Sequence, residues 1–232
     1  MRWLCAFLFA ACAAAHAEDT DPALLRKLAV QARLQSLHVA VSPNGRTIVS
    51  GGMDSVKVWN SSTGQLLRSL PQGANCLAIT PNGQMIVTGG PDGVRMWRLS
   101  DGELMWAAEY CHGVLDIAIS PDGRTAVSGG YETTVKTWRL SDGKLLRTLH
   151  GHTDPVLSVA ITPDGQKIVS GGEDNVIRIW RLDDGALLRT LPVAGSADEA
   201  HEDEVRDVTL TPDGRNIVSC GGWTIKFWRV SD

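Results

Sequence analysis

Short apolar runs recur along the chain and are separated by turns rich in proline, glycine, asparagine and aspartate. Residues 156–191 contain one complete unit of this pattern. The unit predicts an inner strand at 156–161, a second strand at 167–170, a third at 176–180 and an outer strand at 186–191. In the Thr-Pro-Asp-Gly turn after the inner strand, proline fixes φ and glycine supplies the residue that takes a positive φ. Four strands joined by three hairpins predict one small antiparallel sheet.

This unit occurs five times. Its Pro-Asp/Asn-Gly turn begins at Pro43, Pro81, Pro121, Pro163 and Pro212, and each copy closes on a tryptophan, namely Trp59, Trp97, Trp138, Trp180 and Trp228. Successive tryptophans are 38, 41, 42 and 48 residues apart. A period near forty residues with several strands per period is typical of a β-propeller, whose blades bury their faces by stacking. We therefore predict an all-β propeller of five four-stranded blades, with repeats at about residues 37–70, 74–108, 114–149, 156–191 and 205–232.

Residues 23–28 are candidates for the strand that closes the ring. They read Ala-Leu-Leu-Arg-Lys-Leu, and the outer strand predicted at 186–191 reads Ala-Leu-Leu-Arg-Thr-Leu. The sequence given ends soon after Trp228, where the fifth unit lacks an outer strand. We expect residues 23–28 to supply that strand and complete the last blade. The alternatives are an amphipathic helix, because these residues are good helix formers, and an open arc of five blades.

Residues 1–17 have the pattern of a signal peptide. A positive charge near the start precedes an apolar stretch at 4–11, and residues 15–17 read Ala-His-Ala, a small-residue cleavage pattern. The apolar stretch is too short to span a bilayer. We therefore expect residues 18–232 to be exported, to a periplasmic or extracellular location. A lipid anchor through Cys12 is the alternative, because an imperfect acylation box precedes that cysteine.

Composition and charge narrow the class of partner. With 43% hydrophobic and 21% charged residues, the chain can bury a substantial core. Its net charge of -4 gives no basic footprint, so a nucleic-acid partner is not expected.

Outside the signal, the cysteines are Cys76, Cys111 and Cys220. Because they are few and widely scattered, we expect buried thiols rather than a disulfide framework, although one bridge is permitted in an oxidising compartment.

Residues 23–232 resemble the WD-repeat (WD40-type) β-propeller family. In that family a hydrogen-bonded tetrad of His, Ser or Thr, Asp and Trp holds a blade together. The fourth unit carries the whole tetrad, as His152, Ser170, Asp174 and Trp180. At the Asp position, the third unit has Glu132 and the fifth has Trp223. The aspartate that follows the tryptophan in the family is replaced throughout, by Asn60, Arg98, Arg139, Arg181 and Arg229.

A histidine, a serine and an aspartate in one unit could also indicate a hydrolase. The serine belongs, however, to a column that repeats in the second strand of every unit, as Ser50, Thr88, Ser128, Ser170 and Ser219. A repeated column is what a structural role predicts, and the sequence has no Gly-x-Ser-x-Gly elbow. We therefore expect no catalytic residues and no enzymatic activity.

The connection at 192–204 is the longest between units, and its part at 198–204 carries five carboxylates around His201. Such a density of carboxylates could hold a calcium ion, but the spacing matches no defined calcium-binding loop. We therefore expect a solvated acidic loop and neither a metal nor a cofactor. We likewise expect Trp106 and Tyr110 to be packing residues rather than part of a ligand site.

The resemblance to the WD-repeat family implies that partner contacts concentrate on one face of the propeller. The positions concerned are one inner-strand residue per blade, here His38, Cys76, Asp116, Ser158 and Asp207, and the residue before the turn aspartate, here Met53, Pro91, Tyr131, Glu173 and Gly222. The residues in these columns differ from repeat to repeat, whereas the surrounding strand and turn residues recur. We expect a non-enzymatic scaffold that binds a protein or peptide through this face. The alternative is a ligand- or glycan-binding or hydrolytic propeller that uses the channel mouth, where glycoside hydrolysis needs two carboxylates about 5 to 9 Å apart.

Overall fold

Five antiparallel sheets make up the part of the chain that the computed structural model describes, which is residues 36–108, 113–191, 203–222 and 224–231. Blade one contains β1 (Ser36–Val41), β2 (Thr47–Gly52), β3 (Val56–Asn60) and β4 (Leu66–Leu70). Blade two contains β5 (Cys76–Ile79), β6 (Met85–Gly90), β7 (Gly93–Arg98) and β8 (Leu104–Ala108). Blade three contains β9 (Val114–Ile119), β10 (Thr125–Gly130), β11 (Thr134–Arg139) and β12 (Leu145–His150).

Blade four contains β13 (Val156–Ile161), β14 (Lys167–Gly172), β15 (Ile177–Arg181) and β16 (Leu187–Leu191). Blade five contains β17 (Val205–Leu210), β18 (Asn216–Gly221) and β19 (Thr224–Arg229). The predicted all-β architecture of five blades is confirmed, with four strands described in each of blades one to four and three in blade five. Residues 23–28, expected as the fourth strand of blade five, lie outside the described residues. None of the described segments forms a helix that could cross a membrane.

The Pro-Asp-Gly turn of blade four shows why this tripeptide recurs. Thr162 Oγ1 donates to Asp164 Oδ1 at 2.5 Å and accepts the backbone N–H of Lys167 at 2.9 Å. The same Asp164 oxygen accepts the backbone N–H of Gln166 at 2.9 Å. Gly165 takes a φ of 70°, a left-handed conformation that favours glycine. The turn therefore satisfies its own polar groups and fixes the register of the first two strands.

The hydrophobic core lies between consecutive blades rather than within one sheet. At the junction of blades four and five, Ile177 and Ile179 of β15 are buried with Val205 of β17. The equivalent residues of blade five, Ile225 and Phe227, are 61% and 73% exposed. Inner strands of consecutive blades contact one another from β1 to β17, whereas β17 and β1 share no comparable contact. The described residues thus form a five-bladed arrangement that is not closed between blades five and one.

A glycine in the second strand makes room for the next blade. A Cβ atom placed on Gly129 would lie 2.6 Å from Val156 Cγ1, and one placed on Gly171 would lie 2.5 Å from Val205 Cγ1. Such distances are too short for carbon atoms, so each glycine permits the next inner strand to approach closely. Blade five has Cys220 at this position, paired with Asp207 as Gly171 is paired with Ser158. Among the described residues neither Cys220, which is half-buried, nor Cys76, which is fully buried, forms a disulfide, while Cys111 lies outside the described residues.

Candidate functional site: the turn face and the centre of the propeller

Each blade tryptophan is hydrogen-bonded to the second strand of its own blade. The indole Nε1–H donates to a hydroxyl oxygen at 2.7 to 3.0 Å in five pairs: Trp59 to Ser50, Trp97 to Thr88, Trp138 to Ser128, Trp180 to Ser170, and Trp228 to Ser219. A buried indole N–H without an acceptor would cost about 1–3 kcal/mol. The hydroxyl column therefore supplies a hydrogen-bond acceptor for the indole N–H of each blade tryptophan.

Blade four carries the full hydrogen-bonded chain of four side chains. His152 Nε2 lies 2.7 Å from Ser170 Oγ, and His152 Nδ1 lies 2.9 Å from both carboxylate oxygens of Asp174. Arg178 Nη1 lies 2.7 Å from the same Nδ1, so His152, Asp174 and Arg178 form one polar cluster. Ser170 is 0% exposed, so its hydroxyl has no contact with solvent or with a substrate. These four side chains therefore hold the blade together, and we call them the blade-four brace.

Arg178 extends this brace, and the tetrad pattern did not predict it. Its Nη1 donates to Asp174 Oδ2 at 2.6 Å. Burial opposes ionisation of Asp174, but the hydrogen bond and charge of His152, together with donors from Arg178 and Thr153, outweigh burial and lower its pKa to about 2. A periodic signal was present, because a basic residue lies two positions before every blade tryptophan: Lys57, Arg95, Lys136, Arg178 and Lys226.

Other blades replace the His-Asp pair by different polar contacts. In blade three, Glu132 forms an ion pair with the largely buried Lys136. In blade two, Gln72 Nε2 donates to Asp92 Oδ2 at 2.9 Å. Trp223, which takes the Asp position in the fifth unit, lies outside the described residues. The anchoring chemistry therefore differs from blade to blade, while the Trp-hydroxyl bond stays the same.

The inner-strand positions converge at the centre of the propeller. Ser158 Oγ of blade four lies 3.0 Å from Asp116 Oδ2 of blade three and 3.0 Å from Asp207 Oδ1 of blade five. Ser158 is buried, and both aspartates are partly buried. Cys76 is fully buried, with Sγ 3.6 Å from the carbonyl oxygen of Gly89. The structure thus brings three of the five predicted inner-strand residues into one hydrogen-bonded cluster.

Burial favours the protonated form of the two aspartates at the centre of the propeller. It raises the pKa of Asp116 to about 6, although Val159, Ile117 and Ser158 all donate hydrogen bonds to the carboxylate. Burial likewise raises the pKa of Asp207 to about 6, and the nearby charge of Asp116 adds to the shift. His38 is also affected, because burial lowers its pKa while the attraction of Asp207 offsets part of that effect. The two carboxylates therefore face the protein's own donors, a poor arrangement for presenting an acid and a base to a sugar.

The predicted positions before the turn aspartate are all exposed, and they form what we call the turn face: Met53, Pro91, Tyr131, Glu173 and Gly222. Met53 is 67% exposed and Tyr131 61% exposed. The backbone of this face is tied down, because Tyr131 N donates to Gly113 O at 3.2 Å and Glu173 N donates to Pro155 O at 2.9 Å. The turn face therefore presents varied side chains on a fixed backbone.

The structure describes Trp106 and the end of the acidic stretch at 198–204, two further candidates from the sequence. Trp106 Nε1 donates to the carbonyl oxygen of Leu140 at 2.8 Å, so this indole packs across the junction of blades two and three. The acidic stretch at 198–204 is described only from residue 203 onward, and Tyr110 lies outside the described residues. Within the described ranges, no group of three or more His, Cys, Asp or Glu side chains is arranged to hold a metal ion.

Comparison with known proteins agrees with this architecture. A family model described as "WD domain, G-beta repeat" matches residues 34–60, 64–98, 107–139, 143–181 and 187–229. Each later match runs from the region of one outer strand into the third strand of the next blade. No curated protein matches the chain. Because the five matches cover most of the sequence and follow its five blades, the chain belongs to the WD-repeat family.

Proposed function

We propose that this protein is a non-enzymatic scaffold that binds a protein or peptide through its turn face. WD-repeat proteins generally mediate protein-protein interaction and are typically not enzymes. The observation that carries the proposal is the exposure of Met53 and Tyr131 on tied-down turns, with Glu173 exposed beside them. Tyrosine and methionine are enriched in protein interfaces, and a rigid backbone lowers the entropic cost of binding.

The same reasoning supports the absence of catalysis. Among the described residues, the His-Ser-Asp set of blade four is hydrogen-bonded to Trp180, and its Ser170 is fully buried. At the centre, Asp116 accepts two backbone N–H groups, and the carboxyl groups of Asp116 and Asp207 each lie 3.0 Å from Ser158 Oγ. Neither arrangement leaves an exposed nucleophile or an exposed acid and base pair.

We further propose that the scaffold acts outside the cytoplasm. The support is the pattern of residues 1–17, with its apolar stretch and Ala-His-Ala cleavage pattern. A partner would then be a periplasmic or extracellular protein, and lipidation at Cys12 would hold the same scaffold at a membrane surface. Mass spectrometry of the protein from an exporting host distinguishes the two, because cleavage before Glu18 and acylation of Cys12 give different N-terminal peptides.

The binding proposal is tested by capture from the exported fraction of the source cells, with identification of the captured protein and measurement of its Kd. The double variant Tyr131→Ala, Glu173→Lys should weaken binding at least tenfold, because both side chains are exposed on the turn face and interface anchors carry much of the affinity. The matched control is Asp183→Lys, which reverses an exposed charge in the β15–β16 hairpin at the opposite end of blade four. Equal Kd values for the parent and the double variant would exclude these two residues as the binding surface.

A further inference from the structure

The hydroxyl of Ser158 has more close oxygen neighbours than it has protons. Its Oγ lies 3.0 Å from Asp116 Oδ2 and 3.0 Å from Asp207 Oδ1, and it accepts the backbone N–H of Val208 at 3.2 Å. A serine hydroxyl has one hydrogen to donate and two lone pairs to accept with. It can therefore donate to only one of the two carboxyl groups. The other close contact requires a proton on the carboxyl group itself.

The surrounding donors indicate which carboxyl group is ionised. Asp116 accepts the backbone N–H of Ile117 on Oδ1 at 2.8 Å and that of Val159 on Oδ2 at 2.8 Å. Both of its oxygens are thus acceptors, which is the arrangement of a carboxylate. Asp207 has the Val208 N–H nearby, and Ser158 accepts that same donor. The consistent chain runs from a protonated Asp207 to Ser158 and from Ser158 to an ionised Asp116.

The neighbours of the cluster offer little compensation for a second negative charge. His38 of β1 is the ionisable group that interacts with Asp207, and burial disfavours its charged form. Strand β5 presents the thiol of Cys76. The second strands of blades three, four and five place Gly129 opposite Asp116, Gly171 opposite Ser158, and Cys220 opposite Asp207. Among the described residues packed around the cluster, His38 is therefore the one potential cation.

We propose that Asp116, Ser158 and Asp207 form a proton-operated clasp between blades three, four and five, in which Asp207 carries the proton and loss of that proton loosens the junction of blades four and five. With both carboxyl groups ionised, one of the two 3.0 Å oxygen contacts at Ser158 loses its hydrogen. The contact then becomes repulsive, and the two aspartates repel each other in a site that water screens poorly.

The direction of the pH effect follows from the raised pKa of Asp207. Burial raises the pKa of Asp207 to about 6 in the folded protein, above the value of about 3.9 of an aspartate in an unfolded chain. The folded state therefore binds more protons than the unfolded state between these values. The stability contributed by the Asp207 proton is complete below about pH 4 and is lost as the pH rises through about 6.

The test compares two isosteric variants of the full chain by thermal unfolding between pH 5 and pH 8. Asp207→Asn replaces the proton-bearing oxygen by an amide N–H, which can donate to Ser158 at every pH. It should flatten the pH dependence and raise Tm at pH 8 by about 2 to 6 °C. Asp116→Asn is the matched variant. It should lower Tm at every pH, because its amide N–H₂ must face a backbone N–H donor of Ile117 or Val159.

Carboxyl ¹³C NMR titration of the parent protein provides a measurement that does not depend on either variant folding. Asp207 should titrate near pH 6, and Asp116, whose two oxygens accept backbone N–H groups, should titrate at a lower pH than Asp207. An Asp207 carboxyl group that stays ionised down to pH 4 would overturn the proposal. So would parallel Tm profiles of the parent and Asp207→Asn, or a gain in Tm for Asp116→Asn with a loss for Asp207→Asn, since that pattern places the proton on the other residue.

Discussion

Cys220 of blade five occupies the strand position that Gly171 occupies in blade four. A Cβ on Gly171 would lie 2.5 Å from Val205 Cγ1 of the next blade, whereas blade five carries a full thiol side chain at that site. Among the described residues, no inner strand packs against this side of blade five as β17 packs against blade four. This side of blade five therefore differs from the four junctions between consecutive blades.

Gly171→Ala should destabilise the propeller by about 1–3 kcal/mol, because the added methyl group overpacks the junction with Val205. The matched control is Cys220→Ala, which changes the same column in a blade whose neighbouring surface is open, and it should cost less. Urea denaturation followed by circular dichroism measures both variants. Equal losses for the two would show that the glycine column does not set the spacing between blades.

Asp174→Ala should lower the free energy of unfolding at pH 7 by about 2 kcal/mol, because it removes a buried carboxylate held by His152 and Arg178. The effect should depend on pH with a defined sign. Since the folded-state pKa of Asp174 is about 2, below its unfolded value, its contribution is complete above about pH 4 and is lost as the pH falls through about 2. Chemical denaturation at pH 7 and pH 3 measures the difference.

The control for this brace is Glu132→Ala in blade three. Its side chain is 36% exposed, compared with 5% for Asp174, so solvent screens its ion pair with Lys136. We expect a loss of at most about 1 kcal/mol. If Asp174→Ala cost no more than Glu132→Ala at pH 7, the full tetrad of blade four would have no special role in stability.

Deleting residues 18–30 should lower Tm, because the sequence predicts that residues 23–28 pair with β19 as the outer strand of blade five. That strand would run beside Ile225 and Phe227, which are otherwise exposed. The appropriate control replaces residues 18–30 by a Gly-Ser linker of equal length, which keeps the chain length but not the strand pattern. Differential scanning calorimetry compares the three proteins, and light scattering reports their mass.

Unchanged melting of the deleted and linker proteins would mean that residues 23–28 do not complete the blade. A parent protein that is an obligate oligomer would indicate that this strand pairs with another molecule instead. In both cases other residues would have to cover the outer edge of β19, because an open strand edge promotes association.

The sequence was sufficient for features that repeat within one blade. Turns such as that at Gly165, and hydrogen bonds such as Trp180 to Ser170, recur with fixed local spacing, so a single chain displays them several times. The cluster of Asp116, Ser158 and Asp207 could not be derived in this way. Its three residues come from three blades, and their contact depends on the angle between blades, which no local spacing encodes.

The same limit applies to the candidate binding residues. The resemblance to the WD-repeat family grouped Ser158 with Tyr131 as positions of partner contact, and both columns vary between repeats. The structure separates them, since Ser158 is 3% exposed at the centre and Tyr131 is 61% exposed on the turn face. Variation in a repeat column marks positions free of the shared packing, and those positions include both solvent-facing sites and sites that contact another blade.

The tryptophan to hydroxyl bonds also give the molecule one optical reporter per blade. Indole emission shifts to longer wavelength when water reaches the ring. Trp138 and Trp180 are almost fully buried, whereas Trp228 of blade five is partly exposed. In a repeat protein the end units have fewer neighbours and lower local stability. A chain that retains only Trp228 should therefore emit at longer wavelength than one that retains only Trp180. Its emission should also change at lower denaturant concentration, so that the order in which the blades unfold can be read from fluorescence.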